Sequence, residues 1–478
     1  MNSRRYFIKK SALASGAVLA SNSLAFSHSL YNQKEFVSNR PSKKDRTFSS
    51  QIIEEVIKET TSKLKDKELA WMFENCFPNT LDTTVHYFEE NNQPDTHIIT
   101  GDIPAMWLRD TTCQVWPYLP YANDDEKLKK MLVGLINRQI KCVLVDPYAN
   151  AFYLDAAKVN DGEWKDDITE MKPGVFERKW EINSLTHVIR LSYEYWKTTK
   201  DTSPFNANWL KGMKLIYQTF KEQQRLENDG PYSFLRVTEH IRDTVPHYGF
   251  GHPTKKNGMI HAAFRQDDAN ILPLFVPDNL MAVQELRKLS EMAISLFNDT
   301  EFSEQCIAMS NQIEKAIKED AIVQHKEFGE IYAFEVDGYG GRIMMEDPNL
   351  PGLLSLPYMG ICDIDDPLYQ RTRQFTLSEW NPYYEKGKAG EGLGSYHWGK
   401  GYIWPLGTIS RALTSSSDEE ILFCINQLKA NHAGTGFIHE SYKKDDPTQY
   451  NRDWFSWANT YFGEMILTLL STHPHLLT

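Results

Sequence analysis

Apolar residues recur at the spacing of an amphipathic helix through most of this chain, and this periodicity constrains the fold more than any other sequence feature. Residues 52–64 and 128–136 carry isoleucine, leucine, valine and methionine three and four positions apart. The same spacing predicts helices at 183–197, 206–226, 278–298, 301–320, 404–413, 417–430 and 454–471. Alternating strand patterns are few and short, near 151–154 and 331–334. The sequence therefore predicts an all-α fold.

Long loops that are rich in Gly, Pro, Trp, Asp and Arg separate the predicted helices, at 96–110, 228–270, 334–362 and 381–404. Such long irregular loops are uncommon inside a compact domain unless they build a functional site. About a dozen helices joined by loops of this kind suit a helical toroid whose site lies at one end. The sequence shows no internal repeat, so we expect the toroid to repeat in structure only.

The N-terminus has the features of an export signal. Two arginines, Arg4 and Arg5, precede an aromatic pair and a short apolar run from Ala12 to Ala20, with small residues following near Ala25. The run is too short to span a membrane, and the order of these features matches a twin-arginine signal peptide at 1–27. An ordinary secretory signal is the alternative. Either signal predicts export, and the twin-arginine type predicts a periplasmic protein.

The remaining chain is predicted to form one domain. Residues 28–48 are polar, which is typical of a linker. The composition of residues 49–478 is uniform, without a long stretch rich in Gly, Ser or Pro. The net charge of −12 argues against a nucleic-acid partner, since phosphate contacts need clustered Lys and Arg. The six cysteines form no C-x-x-C pair and no zinc spacing, so we expect buried thiols and no metal site.

Aromatic residues are abundant, with 12 Trp, 23 Tyr and 24 Phe. Trp and Tyr offer apolar faces with polar edges, which suit the faces and hydroxyls of sugars. Large helical cores also use many aromatic residues, so composition alone leaves the sugar interpretation open. The chain contains no G-x-S-x-G elbow, no H-E-x-x-H and no P-loop motif, which disfavours a serine hydrolase, a zinc protease and a phosphate-binding loop. With these three kinds of site disfavoured, catalysis by carboxyl side chains is the interpretation that remains.

Two segments place arginine beside aspartate. In 101–110, Arg109 and Asp110 can bind hydroxyls and Trp107 can offer a ring face, although an internal salt bridge would also explain the pair. In 259–270, Asp267 and Asp268 follow Arg265 at what resembles a helix start. One aspartate could cap the helix while the other faces the cavity, and two adjacent carboxylates can raise one pKa, as a general acid requires. We count Arg265 among the candidate substrate-binding residues.

Two later segments complete the candidate site. Five glycines in 390–405 allow close approach to a ligand, and His397, Trp398 and Trp404 would line that loop. In the fourth segment, Glu440 lies in a loop before the last amphipathic helix, where it can activate water or simply pair as a surface carboxylate. Glycoside hydrolysis uses such a pair of carboxyl groups, which in inverting enzymes lie about 6.5–9.5 Å apart.

These segments resemble glycoside hydrolase family 125, the exo-α-1,6-mannosidases, over residues from about 50 to the C-terminus. The matching stretches are GDIPAMWLRDTT, FERKWEINSL, FRQDDA, MEDPNLPGLLSLPYMG, GFIHESYKKDDP and RDWFSWAN, in the order of the family. The resemblance implies an (α/α)6 toroid, inversion at the anomeric carbon, and neither metal nor other cofactor.

The resemblance also implies roles for individual residues. It places the general base on Glu440 and the general acid on an aspartate of the FRQDDA stretch. The family commonly reads Arg-Pro-Ser-Asp-Asp there, and this chain is one residue shorter, so Asp267 and Asp268 both remain candidates. The implied sugar contacts are Arg109, Asp110, Glu181, His397 and Trp398.

The resulting expectation is an exo-acting, inverting, metal-independent α-mannosidase that releases terminal mannose from α-1,6 linkages of glycans. Its partner would be a mannose-containing oligosaccharide, and we expect a monomer without a membrane span. Two alternatives stay open: a non-catalytic glycan-binding protein on the same scaffold, and a toroid-class glycosidase of other specificity, such as a glucosidase.

Overall fold

The computed structural model describes residues 36–162 and 164–478. The predicted signal peptide at 1–27 and the first part of the predicted linker lie outside the described residues. Val37–Thr478 form one compact unit. Within the described residues, no helix combines the length and the apolar character that a membrane crossing requires. All six cysteines are free, and each is at least partly buried.

The described part of the predicted linker packs against the helical body. The indole N–H of Trp71 donates to the carbonyl of Val37 at 2.6 Å. Arg40 forms a buried ion pair with Asp82 at 2.8 Å. Among the described residues, contacts with the helical body are therefore present from Val37 onward.

Thirteen α-helices carry most of the ordered structure in the described residues. They are α1 (Gln51–Lys63), α2 (Lys67–Cys76), α3 (Asn79–Thr83), α4 (Leu108–Val115), α5 (Glu126–Val145), α6 (Ile182–Thr199), α7 (Ala207–Gln223), α8 (Val276–Phe297), α9 (Thr300–Asp320), α10 (Pro367–Thr376), α11 (Pro405–Leu413), α12 (Asp418–Ala430) and α13 (Ser456–Thr472). Short 3₁₀ helices occupy Trp116–Tyr121, Ile241–Asp243 and Pro474–Leu476.

All nine predicted helices are present, with ends shifted by a few residues except in α5, which is much longer than its predicted core. The periodicity missed α2, α3, α4 and α10. In α4 every residue except the half-buried Cys113 is buried, yet most of these residues are polar, so the burial does not appear in the sequence as an apolar stripe. The helix is nonetheless central, since it carries two candidate site residues in its first turn.

The prediction of a helical fold is confirmed in part, because the described residues are mainly helical but also contain seventeen short strands. They are β1 (Val85–Glu90), β2 (Gln93–Ile98), β3 (Met106–Trp107), β4 (Ala151–Phe152), β5 (Val175–Glu177), β6 (Phe264–Arg265), β7 (Asp268–Ala269), β8 (Leu274–Phe275), β9 (Ile322–His325), β10 (Gly329–Tyr332), β11 (Glu335–Val336), β12 (Arg342–Ile343), β13 (Tyr384–Lys386), β14 (Glu391–Leu393), β15 (Tyr402–Ile403), β16 (Ser441–Lys443) and β17 (Asp446–Asn451). The fold is mainly helical, with small sheets in the long loops.

The strands form seven antiparallel sheets of two or three strands each, ordered β1–β2, β3–β4–β5, β6–β7, β8–β11–β12, β9–β10, β13–β14 and β15–β16–β17. Most of these strands have two to four residues, which is too short for an alternating pattern to be visible in sequence. Pairing within the loops satisfies backbone groups that helices cannot. The sheets thereby fix the loop backbones that hold the site.

Five helices pack side by side in the order α11, α13, α4, α6, α8. The N-terminal ends of four of them converge, as shown by the pit that Trp404, Phe455 and Arg109 line at the starts of α11, α13 and α4. Arg109 also binds Glu181, which immediately precedes α6. Because the N-terminal end of a helix carries partial positive charge, this end of the body favours bound carboxylates.

Candidate active site

A narrow pit lies where the helix N-termini converge. Its empty volume, part of which is open to solvent, is about 320 Å³. Six stretches of the chain contribute its lining residues, Arg109, Asp110, Gln266, Asp267, Asn349, His397, Trp404, Glu440, Arg452, Phe455 and Trp457. Six of the sequence-predicted site residues line this pit, and three more, Glu181, Asp268 and Trp398, contact its walls through hydrogen bonds.

A two-residue hairpin presents the aspartate pair. Strands β6 and β7 pair Arg265 with Asp268, so that Gln266 and Asp267 form the turn, with φ of 35° and 80°. A two-residue antiparallel turn with positive φ at both positions matches the twist of the strands. The helix start predicted for this segment is therefore wrong, and neither aspartate caps a helix. The tight turn separates the two carboxyls, because Asp267 lies at the tip and Asp268 lies in a strand.

Asp267 is held at the pit by its backbone. Its N–H donates to Oε1 of Glu181 at 2.8 Å, and its carbonyl accepts from Nζ of Lys179 at 2.6 Å. The side chain is 35% exposed, and Oδ2 lies 3.8 Å from Nη2 of Arg109. Burial acts to raise the pKa of Asp267, but Arg109 and Lys179 outweigh it and hold that pKa below its ordinary value. In the empty pit this carboxyl is ionised.

Asp268 is placed behind the pit wall. Its side chain is 2% exposed, and Oδ1 accepts from Nδ1 of His397 at 3.1 Å. Nε of Arg242 lies 3.7 Å from the same oxygen. Burial acts to lower the pKa of His397, yet the adjacent Asp268 carboxylate raises it to about 9. His397 therefore carries a positive charge at neutral pH, and it lines the pit where Asp268 does not.

Glu440 enters the pit from the opposite loop. It directly precedes β16, which pairs with β15 and β17, so the sheet fixes its backbone. The indole N–H of Trp398 donates to Oε2 at 2.6 Å, and Nη1 of Arg452 donates to Oε1 at 3.4 Å. Arg452 is itself oriented by Asp102, whose Oδ1 and Oδ2 lie 2.9 and 3.2 Å from Nε. Two donors thus hold the carboxylate in one orientation.

The floor of the pit is a buried charge cluster. Nη1 of Arg109 donates to Oε2 of Glu181 at 2.9 Å, and Nη2 lies 3.2 Å from Oδ1 of Asp110. Burial raises the pKa of Asp110, with Arg109 opposing. Burial also raises the pKa of Glu181 to about 7, against the same guanidinium and reinforced by Asp267. The cluster places one fixed cation among three carboxyl groups.

Two predicted site residues lie elsewhere. Trp107 packs in a core cluster with Ala105 and Ala151, and its ring meets Phe176 edge-on at 5.4 Å. Its strand pairing with β4 turns the residue into the core, so the predicted sugar contact is not supported by its position. Arg265 is 1% exposed and forms an ion pair with Glu335 at 3.0 Å. Its role is to anchor the hairpin, not to line the pit.

Five pit residues were absent from the sequence prediction, Gln266, Asn349, Arg452, Phe455 and Trp457. All five lie within stretches that carry the family resemblance, and Gln266 also stands between two predicted residues. The dense mixture of Trp, Arg and Asp in 452–459 was the available signal for three of them. Nothing in the sequence indicated that Gly101 would pair with Phe455, which brings the first loop against the last.

Six buried polar atoms without a hydrogen bond belong to residues that line the pit, and other such atoms lie elsewhere in the described residues. The six are Arg109 Nε, Asp110 Oδ1, Gln266 Oε1, Asp267 Oδ1, Trp404 Nε1 and Trp457 Nε1. Buried polar atoms are nearly always satisfied in folded proteins, so a group of them around one cavity indicates a ligand that supplies both donors and acceptors. A polyhydroxylated molecule has this chemistry. In the described residues, no three His, Cys, Asp or Glu side chains are arranged to hold a metal ion.

Comparison with known proteins identifies the class. The family model described as metal-independent α-mannosidase, GH125, matches residues 66–467. The chain belongs to the GH125 family. This membership confirms the resemblance that the motifs indicated and makes the chain a glycoside hydrolase of the α-mannosidase class.

Relatives of this GH125 chain extend over nearly its whole length. The meiotically up-regulated gene 157 protein of Schizosaccharomyces pombe is 42% identical over 455 residues, which cover 92% of this chain and 89% of the relative. A solved structure of a Streptococcus pneumoniae metal-independent α-mannosidase, in a non-productive complex with α-1,6-mannobiose, is 39% identical with a TM-score of 0.85. The match covers 89% of this chain and 99% of that chain.

A more distant likeness concerns the fold of the GH125 chain alone. A bacterial glucoamylase complexed with acarbose has a TM-score of 0.54 at 12% identity, covering 86% of this chain and 57% of that chain. The mainly helical body is thus shared with a glycosidase of different specificity. Five of the six matching GH125 stretches each contribute residues to the pit, so the family signal and the candidate site coincide.

Proposed function

We propose that the protein is an exo-acting, inverting α-mannosidase that releases terminal mannose from α-1,6 linkages of glycans. The observation that carries the proposal is that Asp267 and Glu440 line one pit from separate loops, among unpartnered polar atoms. Family membership supports the α-mannosidase activity, and the α-1,6-mannobiose in the Streptococcus pneumoniae structure supports the linkage. A narrow, largely enclosed pit favours attack on chain ends over attack within a chain.

In the proposed mechanism Asp267 is the general acid and Glu440 is the general base. Protonated Asp267 donates to the glycosidic oxygen, while ionised Glu440 removes a proton from water that attacks the opposite face of the anomeric carbon. The C–O bond to the leaving sugar breaks as the bond to water forms, and the product is β-mannose. Asp267 is favoured over Asp268 because it lines the pit and has a free oxygen, whereas Asp268 is engaged by His397.

A general acid must carry a proton, and the positive charges near Asp267 oppose its protonation. Arg109 and Lys179 keep the carboxyl ionised in the empty pit. A bound sugar excludes water, which strengthens repulsion from the nearby carboxylates and favours proton uptake by Asp267. Since kcat/KM reports the free enzyme, in which the protonated fraction of Asp267 falls as the pH rises, we expect kcat/KM to be higher at about pH 5 than at about pH 8.

We further propose that the helices complete an (α/α)6 toroid and that the protein works as a monomer on mannose-containing oligosaccharides. The packing order of α11, α13, α4, α6 and α8 supports the toroid, since these helices would be successive members of an inner ring. The arginine pair near the N-terminus supports export through the twin-arginine route to the periplasm. The catalytic domain would then comprise the compact unit from Val37 onward.

The test uses α-1,6-, α-1,2- and α-1,3-linked mannobiose with a chelator present. We expect mannose release from the α-1,6 isomer, with β-mannose as the first anomer in proton NMR. Release of α-mannose first would contradict inversion, and preference for another linkage would contradict the proposed substrate. Sugar binding without turnover would instead indicate a glycan-binding protein, and release of glucose from glucobioses would indicate a glucosidase.

A further inference from the structure

Asp268 and His397 form a pair that the proposed acid and base leave unexplained. The hairpin turn places Asp268 on the buried side, 2% exposed, while its neighbour Asp267 occupies the pit. Nδ1 of His397 donates to Asp268 at 3.1 Å, and Nε2 makes no hydrogen bond within the described part of the chain. His397 lines the pit, so Nε2 is the ring atom left for a ligand.

The imidazole ring is fixed from several sides. Trp398 and Trp404 meet it edge-on, with ring centroids 5.6 and 6.3 Å away. The backbone N–H of His397 donates to Ser395 at 3.1 Å, and Ser395 in turn donates to the buried Asp347 at 2.8 Å. A ring with this support keeps one orientation, which makes its free N–H a pre-positioned donor.

The charges that face the ring favour its protonated form. Asp268 lies at Nδ1, and Asp267 and Glu440 share the pit wall with it. Arg242 is on the far side of Asp268, 3.7 Å from its carboxylate, and opposes this effect. The net result is the raised pKa of His397, about 9, which agrees with the geometry. Removal of Asp268 should therefore lower the pKa of His397, whereas removal of Arg242 should leave it unchanged or raise it.

We propose that Asp268 is a positioning residue that holds His397 as a charged hydrogen-bond donor, through Nε2, to an oxygen of the glycan in the pit. This inference deepens the proposed function and rests on it only for the identity of the ligand as a glycan. Asp268 transfers no proton to substrate. It acts through His397, which contacts the sugar. The two adjacent aspartates have different roles because the hairpin places Asp267 in the pit and Asp268 on the buried side.

Histidine NMR of the full protein tests the pair without any turnover. The NMR signal of His397 is assigned by its absence in the His397→Gln variant. In the wild type, the midpoint of its titration should lie well above that of an unpaired histidine. In Asp268→Asn the midpoint should fall by about 1–3 pH units, as expected on removal of an adjacent opposite charge. In Arg242→Gln it should stay or rise, because an opposing cation is removed. A fall of similar size in both variants would indicate general loosening and overturn the proposal.

Binding of D-mannose, followed by calorimetry across pH 6–10, tests the contact with sugar. Wild-type affinity should weaken several-fold as His397 loses its proton, and this weakening should begin at lower pH in Asp268→Asn. Affinity that does not follow the measured His397 titration would overturn the contact. These measurements also distinguish failure of this inference from failure of the proposed function. If the protein hydrolysed none of the mannobioses, the proposed function would fail, but the NMR titration and mannose binding would still test the role of His397. If Asp268→Asn does not fold, the direction of the Arg242→Gln shift still decides.

Discussion

Trp398 donates its indole N–H to Oε2 of Glu440 at 2.6 Å, while Arg452 reaches Oε1 of the same carboxylate at 3.4 Å. Hydrogen bonds to a carboxylate are stronger than those between neutral groups, and they fix its direction. Glu440 thus has its orientation set by residues from two other stretches of the chain. The arrangement leaves the carboxylate on the pit wall, where a general base must approach water.

Replacement of Trp398 by phenylalanine should lower kcat about tenfold or more, because a charge-assisted hydrogen bond contributes about 1.5–3 kcal/mol. KM should change less, because phenylalanine keeps an aromatic ring at this position. Steady-state kinetics on α-1,6-mannobiose measure both quantities. Trp404→Phe is the comparison, because that indole lines the pit without a hydrogen bond to Glu440 and should affect KM more than kcat. Equal kcat for wild type and Trp398→Phe would show that the bond has no role in catalysis.

Replacement of Asp267 by asparagine should slow hydrolysis of α-1,6-mannobiose by about 100- to 10,000-fold, because the leaving oxygen loses its proton donor. A mannoside with an acidic leaving group, such as 2,4-dinitrophenyl α-mannoside, needs no such proton. We therefore expect the loss to be much smaller on that substrate. Kinetics of the variant on both substrates measure the difference, and a loss of equal size on both would argue against Asp267 as the acid.

The ion pair between Arg265 and Glu335 predicts a large stability effect. Their side chains are 1% and 0% exposed, and Glu335 also accepts the backbone N–H groups of Ile271 and Leu272. Arg265→Met leaves a buried carboxylate without its cation and should cost about 3–5 kcal/mol in the free energy of unfolding. Denaturant unfolding measures the change. Adding Glu335→Gln should restore part of the loss, and a double variant as unstable as the sum of the singles would contradict coupling.

The sequence predicted the long helices well because their period depends on a local contrast between one apolar and one polar face. It failed for α4, which is almost entirely buried although most of its residues are polar. It also failed at Gln266 and Asp267, where positive φ at two non-glycine residues depends on tertiary support from Glu181 and Lys179. Propensity cannot indicate a turn that distant residues impose.

For the candidate site, too, some residues could be predicted from the sequence and others could not. Residue type and clustering pointed to Arg109, Asp110, His397 and Glu440, all of which line the pit. The same criteria selected Arg265, because a buried structural arginine and a sugar-binding arginine have the same appearance in sequence. Only the three-dimensional structure distinguishes the partner of each guanidinium. The choice between the adjacent aspartates likewise needed the hairpin geometry.

Buried Asp278 gives a prediction about pH and stability. Its Oδ2 accepts the backbone and side-chain N–H groups of Asn183 at 3.1 and 2.9 Å, and burial raises its pKa to about 8. Between its ordinary value near 3.8 and about 8, the folded state holds a proton that the unfolded state has released. This group's contribution to the free energy of unfolding is therefore present at low pH and lost as the pH rises through that window, by up to about 1.4 kcal/mol per unit.

Asp278→Asn keeps an oxygen acceptor for Asn183 and removes the titration. The stability of the variant relative to wild type should therefore increase from pH 5 to pH 7, by up to about 3 kcal/mol. Urea unfolding of both proteins at the two pH values measures this difference. A stability difference that is the same at both pH values would show that Asp278 does not carry the proton.

The most direct test of the central claim, that Asp267 and Glu440 act together across one pit, is the hydrolysis rate of Glu440→Gln on saturating α-1,6-mannobiose. The amide keeps the size of the side chain and the hydrogen bond from Trp398 but cannot accept a proton from water. We predict a kcat about 100- to 10,000-fold below that of wild type, with D-mannose affinity changed only a few-fold. Near-normal kcat in this variant would contradict the account.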